Sequence, residues 1–256
     1  MSSTRRSTGS GKPTRTHFAR SAFVVLPLLV SLALGGCFGD SNSVAAPAAE
    51  DEHVGHSHAP LWVNGGFESD AIGAAPSGWT LQNNRNNGIT DTRPAPQTLA
   101  SLNLAAGGSL QSTVQGGATE SQADPALGTG ASLRFPKYGQ RSLWMNNNDG
   151  TNRNVNVARQ TMTVAAGDID PLDGEVHVRF ALAPVLENPS HTYVQQPYYY
   201  VELRNITKGN TVLYQDFNTS AQPGVPWKTS NGVYYTDWQL VDISPGTASL
   251  AIGDQV

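Results

Sequence analysis

Apolar residues in this chain fall mostly in short runs that alternate with polar ones, the period of half-buried strands rather than helices. Glu175-Val176-His177-Val178-Arg179-Phe180 alternates strictly, which turns Val176, Val178 and Phe180 toward a core. Tyr198 to Arg204 alternates too: Tyr199, Val201 and Leu203 suit an inner face, and Tyr198, Tyr200, Glu202 and Arg204 an outer one. In Thr236 to Ile243, Gln239, Val241 and Ile243 oppose Trp238, Leu240 and Asp242. Weaker strands are expected at 99–104, 109–114, 141–145, 160–164 and 211–217. Asn-Gly at 64–65, 87–88 and 231–232, with Asp173-Gly174, supplies the positive φ of tight connections. Residues 82–131 are polar and Gly-rich, so long loops are expected in part of that stretch. With no convincing 3.6-residue amphipathic run and no internal repeat, the pattern predicts an all-β sandwich or barrel.

The two ends depart from this texture. Arg5, Arg6, Lys12, Arg15 and Arg20 precede the apolar run Ala22 to Leu34, and no acidic residue occurs before Asp40. A bilayer-spanning helix needs ~20 apolar residues, so this shorter run reads as a secretory signal. The run ends in Leu34-Gly35-Gly36-Cys37, and Cys37 is the only cysteine in the chain. This stretch resembles the lipobox of bacterial lipoproteins, in which the cysteine is acylated and becomes the new N-terminus. The resemblance implies a signal peptide over 1–36, lipidation of Cys37 and a membrane anchor of three acyl chains. Phe38 rather than Asp after the cysteine favours the outer membrane, by the sorting rule of that family. Residues 37–60 then read as a tether rich in Ala, Pro and Ser, and 61–256 as the folded domain. At the far end Ser249 to Ile252 reads as a strand and Val256 as the first residue of another. The domain is therefore expected to be incomplete at its C-terminus.

Composition narrows the function classes. Only 14% of residues are charged, against 38% hydrophobic, which excludes a coiled coil. All five leader charges are basic, so the chain past residue 36 holds 11 basic and 20 acidic residues, net -9. Nucleic acid is not an expected partner of such a chain. With no cysteine past Cys37, disulfide staples and thiol catalysis are both excluded from the folded part.

Leu61-Trp62-Val63-Asn64-Gly65-Gly66-Phe67-Glu68, followed by Pro76-Ser77-Gly78-Trp79, is similar to the opening of galactose-binding-like jelly rolls. These include carbohydrate-binding modules of the family 4, 9 and 22 type. Gly139-Gln140-Arg141-Ser142-Leu143, Thr161 to Val164 and Trp238-Gln239-Leu240 resemble later strands of such modules. The stretch 159–256 also looks like a segment of large Gram-negative surface proteins with conserved repeats. The jelly-roll resemblance implies a two-sheet β-sandwich, often with a structural Ca²⁺. Here Glu68 and Asp70 would supply its carboxylates, hard oxygen donors of the kind Ca²⁺ prefers.

Candidate chemistry follows the aromatic and charged residues. Sugar faces stack on aromatic rings while charged and amide side chains bond the hydroxyls. Tyr198, Tyr200, Glu202 and Arg204 form such a combination, with Trp227 and Tyr235 expected at its rim. Glu175, His177 and Arg179 extend the patch if the two strands are neighbours. The alternative for all these residues is a solvated strand face with packed aromatics. His53, His56 and His58 could hold Zn²⁺, Cu²⁺ or Ni²⁺ weakly, or be a plain solvated tether. No nucleophile elbow, P-loop or HExxH motif occurs. Convergence of Glu175, Glu187, Glu202 and Asp216 remains open as a route to hydrolysis. The expected function is non-catalytic binding of a glycan or surface protein at the envelope. The alternatives are a structural or adhesive surface protein without a small ligand, and a hydrolase.

Overall fold

The computed structural model describes residues 61–90, 98–109, 112–145 and 153–256. The expectations for Cys37 and for His53, His56 and His58 lie outside the described residues. Within them the chain is nearly all β, with helix limited to two short 3₁₀ turns, Ala166–Asp168 and Tyr193–Gln195. Among the described residues no helix is long and apolar enough to cross a membrane.

The first half contains β1 (Thr80–Asn86), β2 (Leu104–Ala106), β3 (Thr113–Gly116), β4 (Gln122–Ala123), β5 (Arg134–Phe135), β6 (Arg141–Trp144) and β7 (Asn154–Arg159). The second half contains β8 (Val178–Leu182), β9 (Val185–Glu187), β10 (Tyr198–Asn205), β11 (Thr211–Thr219), β12 (Lys228–Ser230), β13 (Val233–Tyr235) and β14 (Gln239–Ile243). All pairings are antiparallel. They build sheets in the orders β2-β1-β7, β12-β13-β9, β10-β11, β14-β8, β3-β6 and β4-β5.

The three alternating segments become β8, β10 and β14, and the side chains face largely as their period requires. Val176, Val178 and Phe180 are buried in one cluster with Tyr199, Leu203, Leu186, Leu250 and Ile243. Leu240, on the opposite face of β14, is 63% exposed. Asn231 and Gly232 both take positive φ, which closes the β12–β13 hairpin with the twist that suits antiparallel strands. Three further clusters complete the interior. Leu127, Leu133, Val233 and Tyr235 form one. Phe67, Val114, Leu143 and Met145 form another, and Ile89, Leu102, Tyr198 and Phe217 the last.

One expectation needs correction. Tyr198 is buried rather than outward-facing, because β10 is covered on both sides: Tyr199 and Leu203 enter one cluster, Tyr198 another. Residues 82–131 hold β1 to β4 wholly or partly, and the rest of their described part is turn and loop, as expected. β1 reads TLQNNRN and its Asn and Gln residues hide it from a hydrophobic period.

Residues Asp254–Val256 form an isolated antiparallel bridge with Met162–Val164. Met162 N donates to Val256 O (2.9 Å), Val256 N to Met162 O (3.0 Å) and Val164 N to Asp254 O (2.9 Å). On its other side Ile206 N donates to Gln255 O at 2.7 Å. Asn205, fully buried, ties this corner together: its Nδ2 donates to Ser249 O and Asp254 Oδ2, both at 2.8 Å.

Candidate functional site

A cleft of about 850 Å³ opens between β7 and β10. Its β10 wall carries Tyr200, Glu202 and Arg204, which alternation places on one face. These three side chains form one hydrogen-bonded chain. Tyr200 Oη donates to Glu202 Oε2, and Arg204 donates through Nε to Glu202 Oε1 and through Nη2 to Oε2. Arg204 Nη1 also donates to Asn210 O at 2.9 Å, bracing the turn that leads into β11. Burial, with the neighbouring Glu202 carboxylate, pushes the Tyr200 phenol well above its ordinary range. The hydrogen bond to Glu202 raises the Arg204 guanidinium further. Tyr200 therefore stays a neutral phenol and Arg204 a guanidinium cation across the physiological range.

Tyr198 closes the inner end of the cleft, where its hydroxyl accepts from Asn86 Nδ2 at 2.8 Å. On the β7 side lie Val155, Val157 and Arg159, and near them Gln160 and the indole of Trp62. Arg153 and Arg159 are exposed and make no ion pair among the described residues. The buried indole N–H of Trp62 likewise has no hydrogen-bond partner there.

Of the six residues singled out as a ligand face, Tyr198, Tyr200, Glu202 and Arg204 thus line one cleft. Trp227 and Tyr235 do not. Trp227 packs edge-on to Tyr234, with ring centroids 6.3 Å apart, and leans on the β8 cluster. Tyr235 is buried beside Leu127 and Val233, and its hydroxyl accepts from Ser132 N. Sequence reading missed the opposite wall, although Asn154-Val155-Asn156-Val157 does alternate. Its asparagines point inward onto Ser109 and Ser112, so the period looks inverted.

His177 and Arg179 do not extend the cleft, because β8 pairs with β14 and not with β10. They form a separate surface cluster. His177 Nδ1 meets Asp242 Oδ1 at 2.7 Å and its Nε2 meets Asp173 Oδ2 at 2.8 Å. Arg179 donates to Asp242 Oδ2 at 2.8 Å and to Asp170 Oδ2 at 3.3 Å. The hydrogen bond to Asp173, helped by Asp242, raises the His177 pKa above its ordinary 6.5 despite the opposing effect of burial. The hydrogen bond from His177 lowers Asp173 in return. The other carboxylates considered for hydrolysis turn to different partners. Glu175 accepts from Ser244 Oγ, and Asp216 accepts from Tyr199 Oη at 2.8 Å. Asp216 is opposite Val201 in the β10–β11 register, so it lies on the face away from Glu202.

The segment that carries the family resemblance is a latch. Trp62 and Trp79 stack at 5.4 Å, and Phe67 tilts against Trp79 at 5.7 Å. Gln160 Nε2 donates to Val63 O and Gly78 O, both at 2.8 Å. Glu68 Oε1 accepts from Gln140 N at 2.7 Å and Arg141 N at 3.0 Å. Gly139 has a positive φ, and a Cβ there would collide with that same oxygen. The Asp70 carboxylate accepts from Asn64 Nδ2 at 2.6 Å and from Ser77 N at 3.1 Å. Burial pushes Asp70 upward, but these hydrogen bonds outweigh it and leave its pKa lowered. Both carboxylates are thus engaged by N–H donors, which occupy oxygens that a Ca²⁺ would use. Among the described residues no group of three or more His, Cys, Asp or Glu side chains gathers as a metal site.

Comparison with protein-family models, curated proteins and solved structures gave no match.

Proposed function

We propose that this chain is an outer-membrane lipoprotein, anchored through Cys37, whose jelly-roll β-sandwich binds a glycan or another surface component without catalysis. The observation that supports this reading best is the cleft between β7 and β10. Its volume of about 850 Å³ lies in the ~300–1,000 Å³ range of ligand sites. An apolar floor joins a small set of converging polar groups: the Tyr200–Glu202–Arg204 chain, Gln160, and Arg153 and Arg159, which make no ion pair among the described residues. Such a wall can bond hydroxyl or carbonyl oxygens from one side while a ring or chain packs on the other.

The test uses the full chain in mild detergent on an array of envelope glycans and on immobilised envelope fractions. Wild type should bind saturably, and Tyr200→Ala should bind at least tenfold more weakly. Equal binding by both forms, or none by wild type, would overturn the cleft as the binding site. Cys37→Ser should release the protein from membranes; retention would overturn the anchor.

A further inference from the structure

The Asn-Gly pairs that close tight turns have a chemistry of their own. A glycine has no Cβ to shield its amide nitrogen, which can attack the side-chain amide carbon of the preceding asparagine. The described residues hold three Asn-Gly pairs, at 64–65, 87–88 and 231–232, and one Asp-Gly pair at 173–174. The fold treats the four differently.

Three of them are committed to other partners. Asn64 Nδ2 donates to Asp70 Oδ2 at 2.6 Å and to Ser77 O and Oγ, both at 3.0 Å, and Gly65 is buried. At the second pair the attacking atom itself is engaged. Gly88 N donates to Asn86 Oδ1, and Gly88 O accepts from Asn103 Nδ2 at 3.1 Å. At the Asp-Gly pair, the Asp173 carboxylate meets His177 Nε2 at 2.8 Å and accepts from Glu175 N at 2.9 Å. Gly174 N donates to Asp170 O at 2.7 Å.

Asn231-Gly232 differs on each count. Both residues are exposed, and among the described residues neither the Asn231 side chain nor Gly232 N makes a hydrogen bond. The pair is the whole turn between β12 and β13, with φ of 51° and 76°. β12 has three residues, none of them buried, and among the described strands it pairs only with β13. A short exposed edge opens locally at lower free energy than a core strand. The glycine then lets the peptide between the two residues rotate toward the asparagine side chain.

We propose that Asn231 is a site of spontaneous deamidation, which the fold leaves open while it protects the other Asn-Gly pairs. Hydroxide takes the proton from Gly232 N, and that nitrogen attacks Asn231 Cγ. The new C–N bond closes a succinimide ring, and the side-chain nitrogen leaves as ammonia. Water opens the ring at either carbonyl, giving aspartate, or isoaspartate in which the main chain runs through Cγ. Hydroxide and water are the only co-reactants. The isoaspartate form adds a carbon to the main chain of a turn that joins its strands only at its own length. Val233 and Tyr235 of β13 stay anchored in their cluster with Leu127 and Leu133, whereas no buried side chain holds β12. The bond from Gly128 N to Ser230 Oγ, at 3.1 Å, goes with it. The modification is thus a slow, one-way release of β12 from β13.

For the test, the full chain in mild detergent is held in warm, mildly alkaline buffer. Peptide mass mapping then follows acid and isoaspartate at each asparagine with time. Asn231 should convert at least tenfold faster than Asn64 and Asn87, and faster still as pH rises. In urea the three sites should convert at comparable rates, since only the fold ranks them. In the separated isoaspartate form, amide exchange should speed at least tenfold within β12 and stay unchanged along β10 and β11. Asn231→Asp, which carries the same new charge on an ordinary main chain, should leave the exchange of β12 unchanged. Conversion of Asn64 or Asn87 as fast as Asn231 in the folded chain overturns the site. So does an Asn231 that stays intact while the urea-unfolded chain reacts. Unchanged exchange in the isoaspartate form, or equal acceleration in Asn231→Asp, overturns the release of β12.

Discussion

On the β8–β14 face, His177 and Arg179 sit among Asp170, Asp173 and Asp242, and every charge meets an opposite one. Along the cleft, Arg153 and Arg159 meet none among the described residues. The first cluster closes on itself, so bringing in a ligand there would mean breaking pairs already made. The second leaves groups uncommitted beside an apolar floor, where a ligand forms bonds without displacing others. The same residue types thus carry structure on one face and, on the proposed reading, offer recognition on the other. Charge content alone does not separate the two; the state of pairing does.

The largest expected effect separates buried from exposed polar contacts. Asn205 anchors the mouth of the cleft from a fully buried position, bonding Ser249 O, Asp254 Oδ2 and Lys208 N. Asn205→Ala strands buried partners and should cost about 2–3 kcal/mol of unfolding free energy. Asp242→Ala removes two contacts from the exposed cluster, where solvent screens them, and should cost less than about 1 kcal/mol. Urea titration of the two variants measures both. Equal losses would erase the distinction between a load borne by the interior and a surface network.

The sequence period disclosed β8, β10 and β14 because each has at least one face in the interior and hydrophobic residues to show for it. It failed where polar side chains do the inward packing. Asn154 and Asn156 of β7 are buried against Ser109 and Ser112, and β1 is mostly Asn and Gln, so neither looked like a strand with a core face. For the site, alternation placed Tyr200, Glu202 and Arg204 together, and they do form one bonded chain. Alternation did not place Trp227, which lies outside the strands, or Tyr235, whose strand β13 is only three residues long and too short to show a period. Nor could it show that β8 pairs with β14, which is what separates His177 and Arg179 from the cleft. Partner choice between strands is a long-range matter that local periodicity does not encode.

A middle-sized effect should appear in the pH dependence of the self-paired cluster. His177 has a raised pKa, so its contribution is complete below its unfolded value near 6.5 and is lost as pH rises through the folded value. Asp170, Asp173 and Asp242 have lowered pKa values, so theirs is present above the ordinary carboxylate range and lost as pH falls below it. The cluster should therefore stabilise most between roughly pH 4 and 6.5. Between pH 6 and 9 the wild-type Tm should fall on the order of 2 °C more than that of His177→Gln. Parallel curves would mean that the histidine does not sense its two carboxylates.

The smallest expected effect concerns Glu68 and Asp70, which belong with the closed class: each is committed to N–H donors, as the β8–β14 carboxylates are to cations. A resident ion present at about a hundred times its Kd would add ~2.7 kcal/mol, several degrees in Tm. To bind through Glu68, Ca²⁺ would have to compete with the Gln140 and Arg141 amides for Oε1, and through Asp70 with Asn64 and Ser77. Thermal melts in EDTA and in millimolar Ca²⁺ should accordingly agree within about 1 °C, well below that several-degree shift. Glu68→Gln, by contrast, should lower Tm in both buffers alike, because it weakens the charge-assisted bond to two backbone amides whatever the metal. A Ca²⁺-dependent rise of several degrees that Glu68→Gln abolishes would move this pair out of the closed class and make the opening latch an ion site.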